Sequence, residues 1–304
     1  TATRHLPNNH GQRGTVPVTA AQREFLIVQF IKNSQRAVMA LSLAMLAACG
    51  GGGGGGDSGD SGSGGNAEVP ASRESAARFL TQATFGPTEA DIDRVMAIGY
   101  GAWIDEQFAR PAFAHRATWE AADAAAKAAD PGNANATAGQ NGTLNAFWKS
   151  ATTGQDQLRQ RVAYALSQLM VISMQDGTVG DNPRAVSAYL DLLADKGLGT
   201  YRELLEGVSL HPMMGTYLSH LRNQKADART GRVPDENFAR EVMQLFSIGL
   251  HELNADGSAR LNAGSRIDTY TSTDIGGMAR VFTGWRWDCA GSPANNCFSS
   301  GSLR

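Results

Sequence analysis

The sequence predicts a mostly α-helical protein, a single multi-helix domain with long loops and one short hairpin. Two patterns indicate this fold class. Helix-capping residues recur ahead of apolar residues spaced three and four apart, and Gly or Pro ends most of these stretches. The two clearest apolar stretches, 155–174 and 235–250, follow the period of a helix and not the alternation of a strand. No repeat of about 20–50 residues is present, which argues against a helical solenoid.

Helices are predicted from about residue 71 onward. Ser72 is expected to cap the first one, and Thr88 with Asp91 three residues later resembles a capping box for the second. A similar Thr-x-x-acid pattern precedes 201–210, and Thr273 is expected to cap the last helix. After the first two, the predicted helices are 102–108, 119–129, 155–174, 183–196, 201–210, 213–221, 235–250 and 274–282.

The connections between these helices are predicted to be polar. Long loops are expected at 131–142 and 222–233, and a hairpin is expected to turn at Asp256 and Gly257. We interpret 71–304 as one helical domain. Because the end of the chain is polar and brings no closing helix, this domain is expected to be incomplete at its C-terminal end.

An export signal precedes the domain. Lys32 and Arg36 form a basic segment, and residues 37–48 form an apolar segment that is too short to cross a bilayer. The Leu-Ala-Ala-Cys run that ends at Cys49 resembles a bacterial lipobox, so Cys49 is the expected site of lipidation. We assign 1–48 to an upstream extension and a lipoprotein signal peptide. An ordinary signal peptide with an incidental Cys is the alternative.

Residues 49–70 are predicted to be a flexible linker. Gly, Ser and Asp dominate this stretch, so it lacks the side chains that would bury a core. The glycines do not form a nucleotide-binding loop, because no strand precedes them and no helix follows in register. Such a tether would hold a folded domain away from a membrane surface.

Cysteine content and charge agree with export. Besides Cys49, the chain has Cys289 and Cys297, which we expect to close a small disulfide loop in an oxidising envelope. A formal net charge of −2 gives no electrostatic footprint for nucleic acid, so no nucleic-acid partner is predicted.

The segment 235–250 has the most unusual polar pattern of the chain. On a helix its apolar residues cover one wide arc, and two amides, a guanidinium and a carboxylate form the opposite stripe. These four residues are Asn237, Arg240, Glu241 and Gln244. The stripe predicts either a structural network that pins helices together or the wall of a pocket.

The structural interpretation requires a partner for Glu241, because an unpaired buried carboxylate is costly. Arg161 and Arg159 lie on the long predicted helix 155–174, and we expect one of them to hold the Glu241 carboxylate where the two helices meet. His211 is a further candidate for the network or pocket, although a His before Pro is often a cap or turn residue.

Other chemical signatures are weak. The Gly-x-Ser-x-Gly elbow and the His-Glu-x-x-His helix of two hydrolase classes are absent from the sequence. Oxygen-bearing residues at 227–236 and 254–258 suit calcium but match no complete EF-hand, so solvated turns are favoured. Trp285 and Trp287 suit a carbohydrate platform or, more commonly, the closure of a core. We assign no metal site and identify no cofactor.

Five longer motifs resemble the bacterial domain of unknown function 1800 family. They lie at 77–88 (Ala-Arg-Phe-Leu-Thr-Gln-Ala-Thr-Phe-Gly-Pro-Thr), 159–168, 211–223, 234–246 (Pro-Asp-Glu-Asn-Phe-Ala-Arg-Glu-Val-Met-Gln-Leu-Phe) and 279–285. The resemblance implies an exported envelope protein, often encoded beside a second uncharacterised exported family, and it brings no established reaction. Members usually continue well past the Thr-Gly-Trp motif with further His-containing segments, so the chain is expected to be C-terminally truncated.

These observations predict a lipid-anchored protein of the bacterial cell envelope, in the outer membrane or facing the periplasm. Its expected partners are the membrane, reached through a fatty acid such as palmitate on Cys49, and another exported envelope protein. The favoured role is a binding or scaffolding module. The alternative is an envelope hydrolase with a pocket around Arg240 and Glu241 that residues beyond 304 complete.

Overall fold

The computed structural model describes residues 68–287, and this part of the chain is mostly helical, as predicted. It contains eleven helices and one two-stranded antiparallel sheet. Cys49, most of the linker, and the predicted disulfide pair Cys289 and Cys297 lie outside the described residues. None of the helices within 68–287 combines the length and the hydrophobicity that a membrane span requires.

The elements are short and follow one another closely. In chain order they are α1 Arg73–Ala83, α2 Glu89–Ala109, α3 His115–Ala129, α4 Gly139–Thr153, α5 Gln157–Leu169, α6 Gly177–Gly180, α7 Pro183–Lys196, α8 Tyr201–Leu210, α9 Pro212–Tyr217, α10 Asn237–Gln244, β1 Leu261–Asn262, β2 Ser265–Arg266 and α11 Ser272–Val281.

The predicted caps of the first two helices are confirmed. The Ser72 hydroxyl accepts the backbone N–H of Ser75 at the start of α1. Thr88 and Asp91 form a complete capping box at the start of α2, in which each side chain accepts the backbone N–H of the other residue. Local sequence therefore determines where these helices begin.

The cap of the last helix lies two residues earlier than predicted. Thr271 caps α11, because its hydroxyl accepts the N–H of Asp274 and the Asp274 carboxylate accepts the N–H of Thr271. The Thr-x-x-Asp spacing closes this capping box, so Thr273 falls inside the first turn and the prediction that it caps the helix was wrong.

Helix lengths differ from the prediction where apolar spacing runs past the helix end. Helix α5 ends at Leu169 although the apolar pattern extends to 174, and α10 ends at Gln244 although its pattern extends to 250. After α10 the chain turns back, since the N–H of Gly249, at φ 75°, donates to the Met243 carbonyl. Helix α9 likewise ends at Tyr217 and does not reach 221.

One further boundary was confirmed and one was wrong. Gly99, at φ 82°, has a non-helical backbone that divides α2 into two helical segments, and the second segment contains the separate helix predicted at 102–108. Helix α4 begins inside the predicted loop 131–142. The Trp119 indole N–H donates to the Gly139 carbonyl across 2.9 Å, so tertiary contact with α3 positions a helix whose own sequence carries no start signal.

The predicted hairpin region folds as a short meander. Its first turn, at Asp256 and Gly257, is closed by a bridge between Leu253 and Ala259. The two regular strands follow, with Leu261 opposite Arg266 and Asn262 opposite Ser265. The turn was therefore predicted correctly, but the regular strands lie beyond it.

Helix α7 is central to the described part. It packs against α3, α4, α5, α8 and α9. Tyr189 and Leu193 of α7 are fully buried in a core that also takes in α10 and α11. A second cluster forms where Leu80 of α1 packs with Val95 and Trp103 of α2. The arrangement leaves a cavity beside α7.

Candidate functional site

A cavity of about 410 Å³ lies among helices α3, α4, α5 and α7. Its wall contains both apolar and polar side chains, and none of them is Asp, Glu, Lys or Arg. The lining residues are Leu144, Phe147, Ala163, Val171, Ile172, Met174, Val186 and Leu190, together with His115, Thr143, Gln160, Tyr164, Ser167, Gln168, Ser173 and Tyr189. The size falls in the range of small-molecule sites.

Three buried side chains form a hydrogen-bonded chain, two of them in this wall and the third outside it. The Asp156 carboxylate accepts the amide N–H of Gln160 across 2.9 Å, and the same oxygen accepts the backbone N–H of Phe113. Gln160 therefore turns its oxygen toward His115, whose Nε2 lies 2.8 Å away. Because an amide oxygen only accepts, Nε2 of His115 is assigned the proton.

The other ring nitrogen of His115 has no hydrogen-bond partner among residues 68–287. With the proton on Nε2, the neutral ring presents a lone pair at Nδ1, and this atom is buried without a donor. The whole residue is 1% exposed. Buried polar atoms without partners are rare in proteins, so His115 is a candidate for ligand contact.

A carboxylate from α7 fixes the backbone of His115. Residue Ala114, which precedes α3, offers no capping side chain. Instead Asp191 accepts the N–H of His115 across 2.6 Å and that of Arg116 across 3.0 Å. Burial raises the pKa of Asp191, an effect that the two N–H bonds oppose. The first turn of α3 is therefore held against α7 by a side chain distant in the sequence.

The deep hydroxyl groups of the cavity are already hydrogen-bonded. Thr143 lies 2.9 Å from the hydroxyl of Ser187 and from the carbonyl of Pro183. The Tyr189 hydroxyl donates to the Met170 carbonyl across 2.7 Å. Burial raises the pKa of Tyr189, so it stays a neutral donor. These groups stabilise the wall and have no unused donor for a ligand.

Aromatic side chains lie at the mouth of the cavity. Tyr164 packs near Phe147 and Phe85, with ring centroids 5.8 and 5.9 Å apart. The Arg161 guanidinium lies over the Phe85 and Tyr164 rings, at 5.6 and 5.7 Å from their centroids. Next to them Trp148 is 62% exposed. The mouth therefore presents an accessible apolar surface.

The predicted pairing of Glu241 with Arg159 or Arg161 was wrong. Arg159 donates to the backbone carbonyls of Ala194 and Phe108 at 3.2 and 3.1 Å. Arg161 contacts aromatic rings, and its Nε donates to the backbone carbonyl of Gln82 in the last turn of α1. Both guanidinium groups are needed to satisfy carbonyl oxygens that the sequence pattern did not reveal.

The polar stripe of α10 lies largely on the surface. Asn237 is exposed, and exposed Arg240 pairs with Glu236 one turn earlier across 3.3 Å. Gln244 is partly buried. Glu241 is also partly buried, and one of its carboxylate oxygens has no hydrogen-bond partner in the described part of the chain. Burial raises the pKa of Glu241, and the nearby charge of Arg240 acts in the opposite direction.

Two other histidines have structural roles. His211 caps α9, since its Nδ1 accepts the N–H of Met213 across 3.2 Å, and its ring packs edge-on against Tyr189. Burial lowers the pKa of His211 to about 4. His220 donates from Nε2 to the Ser209 carbonyl and packs on Phe238. The interpretation of His211 as a cap residue is confirmed.

The sequence did not single out His115 at all. A His at the start of a helix that has no capping side chain is a weak sequence signal for a functional site. Its hydrogen-bond partner Gln160 lies on another helix, so spacing along the chain does not connect the two residues. Within 68–287, no group of three or more His, Cys, Asp or Glu side chains is arranged to hold a metal ion. In the loops considered for calcium, the Asp227 carboxylate pairs with Arg232. The Asp256 carboxylate accepts the backbone N–H of Ser258 in its own turn.

Comparison with known proteins identifies one family. Residues 78–301 match the family described as "Protein of unknown function (DUF1800)". No curated protein and no solved structure matches the chain.

Proposed function

The chain belongs to the DUF1800 family, and from this premise we propose that it is a lipid-anchored binding module of the cell envelope, with its site in the cavity beside α7. One observation carries this proposal. The cavity measures about 410 Å³ and is lined by apolar side chains and polar groups that are mostly hydrogen-bonded already. Such a wall suits the binding of a small apolar molecule.

The mouth of the cavity supports the same role. Leu144, Tyr164 and Val171 line the cavity and remain between 38% and 46% exposed. A ligand that covers these side chains removes apolar surface from water, at about 25 cal/mol for each Å². The binding free energy would therefore come mainly from the mouth and the apolar wall.

The anchor is proposed from the sequence. Cys49 follows a basic segment and a short apolar segment, and a Gly-rich tether of the kind that keeps a domain away from a bilayer follows it. The proposed partners are the membrane, through a fatty acid on Cys49, and a second exported envelope protein. Metabolic labelling with a palmitate analogue should tag the wild type and a Cys289→Ala control but not Cys49→Ala. Equal labelling of all three would exclude the anchor.

Binding is tested with 2-methylnaphthalene, a rigid apolar probe that can be followed by its fluorescence. We expect saturable binding to the wild type. Ser167→Trp, which places an indole inside the cavity, should weaken binding at least about tenfold, the equivalent of about 1.4 kcal/mol. Leu169→Trp is the matched control, because it lies on the same helix but is exposed and outside the cavity. Absence of saturable binding to the wild type would refute the proposal.

A second candidate function is an envelope hydrolase built around Arg240 and Glu241. Glu241 favours it, since an unpartnered buried carboxylate oxygen with a raised pKa is typical of a general acid or base. The exposed pairing of Arg240 with Glu236 argues for a structural role. Ester and glycoside hydrolysis by the wild type, abolished in a stable Glu241→Gln variant, would favour the hydrolase over the binding module.

A further inference from the structure

We infer that the ligand class of the cavity is an uncharged apolar alcohol or phenol whose hydroxyl donates a hydrogen bond to Nδ1 of His115. This inference rests on the proposed binding function and names the ligand that the cavity selects. Two observations carry it, the assigned proton position on His115 and the absence of charged side chains from the cavity wall.

In the neutral ring, this proton position makes Nδ1 of His115 an acceptor toward a ligand. Asp156 orients the Gln160 amide, and the Gln160 oxygen in turn requires the proton on Nε2 of His115. Nδ1 is then a lone pair without a donor among the described residues. A ligand with a donor satisfies this atom, whereas a ligand that only accepts leaves it unsatisfied.

Charge selects against ionised ligands. Among the described residues, no Lys, Arg, Asp or Glu lines the wall of the cavity. A carboxylate or an ammonium group inside it, away from the Arg161 guanidinium at the mouth, would therefore lose its hydration without gaining an ionic partner. The carboxylates nearest to His115, Asp191 at its backbone and Asp156 behind Gln160, further disfavour an anion. A neutral hydroxyl avoids both costs.

The cost of desolvating Nδ1 is already met in the folded protein, because the atom is closed to water. A hydrogen bond formed there therefore adds to affinity without a new desolvation loss at the acceptor. The same closure means that wall side chains must move aside when the ligand enters. Side-chain rearrangements of this kind are common in binding.

The test compares three probes of similar size, 2-naphthol, 2-methylnaphthalene and 2-naphthoate, on the wild-type protein near neutral pH. We expect 2-naphthol to bind about fivefold to tenfold more tightly than 2-methylnaphthalene, in line with one buried hydrogen bond. The anion 2-naphthoate should bind more weakly than either. Equal affinities for 2-naphthol and 2-methylnaphthalene would overturn the inference and leave the proposed function intact. Absence of binding by all three would overturn both.

Two further measurements locate the hydrogen bond. In His115→Phe the preference for 2-naphthol should disappear, whereas His251→Phe, the same change at a histidine outside the cavity, should keep it. Imidazole ¹⁵N spectra are recorded on the wild type, so this second measurement does not require that a variant folds. They should show the Nδ1 signal of His115 shifting with 2-naphthol but not with 2-methylnaphthalene, and an unchanged signal during saturable 2-naphthol binding would contradict the inference.

Discussion

Two regions of this molecule join polar side chains to an apolar core, and they do so differently. Beside α7, Asp156 and Gln160 at the start of α5 bond to each other, and Gln160 bonds in turn to His115 of α3, 45 residues earlier in the chain. On α10, the polar stripe comes from two turns of one helix, and Arg240 pairs with a neighbour on its own helix. A buried network therefore arises here from residues far apart in the sequence, whereas the concentrated stripe is mainly solvated.

The difference also determines how much free energy of unfolding each region loses when a polar side chain is removed. In the α7 region the loss of a side chain leaves buried donors or acceptors without partners, which costs free energy. In the α10 region the polar groups are exposed or already unpartnered, so their removal changes little. The following four predictions test this contrast, from the largest expected effect to the smallest.

Asp156→Ala should lower the free energy of unfolding by about 3 kcal/mol, because it removes the acceptor for both Phe113 and Gln160 at a site that is 1% exposed. The matched control is Glu236→Ala on the surface beside α10, for which a change of about 0.5 kcal/mol or less is expected. Urea denaturation of both variants measures the difference. Equal losses would remove the contrast between the two regions.

His211 should give the α7 region a sensitivity to acid. Its pKa is about 4 in the folded protein against an ordinary value of 6.5, so only the unfolded chain takes up a proton as pH falls below 6.5. Stability is therefore lost between pH 6.5 and 4, by on the order of 2 kcal/mol for this partly exposed ring. His211→Asn keeps a capping group. Its melting temperature should fall less steeply over this window than that of the wild type, and parallel curves would contradict the assignment.

Two tyrosines allow the same atom to be deleted in each region. Tyr189→Phe removes the donor to the Met170 carbonyl and should cost about 1 kcal/mol. Tyr270→Phe, near α10, removes a buried hydroxyl that has no hydrogen-bond partner among the residues that the structure describes, and it should be neutral or slightly stabilising. Thermal unfolding of the pair provides the comparison. A loss in Tyr270→Phe as large as that in Tyr189→Phe would show that the α10 region also holds a network.

The smallest effect on stability is expected for Glu241→Gln, and its sign is opposite to that of Asp156→Ala. The raised pKa means that the wild type is relatively more stable when Glu241 is protonated and loses this advantage as pH rises from about 4.5 through the folded-state pKa. At neutral pH the neutral amide should therefore be as stable as the wild type, or more stable by up to about 1 kcal/mol. Melts near pH 4 and pH 7 test this, and a marked loss at pH 7 would restore the predicted arginine partner.

Capping residues and apolar spacing were sufficient to predict the fold class and the first residues of several helices. Ser72 and Thr88 cap their helices through residues only three positions away, so the signal and its effect lie within one turn. Helix ends were less predictable. In α10 the apolar spacing continues past Gln244, while the chain itself turns back at Gly249.

The sequence by itself determined the helical class, the family motifs and the polar face of α10, because each depends on residues close together in the chain. Only the tertiary structure decided which polar groups are buried together. His115 lies 45 residues from Gln160 and 76 from Asp191, and the packing of α3 and α5 against α7 brings them into contact. A hydrogen bond depends on distance and direction in space, and spacing along the chain specifies neither once a contact joins different helices.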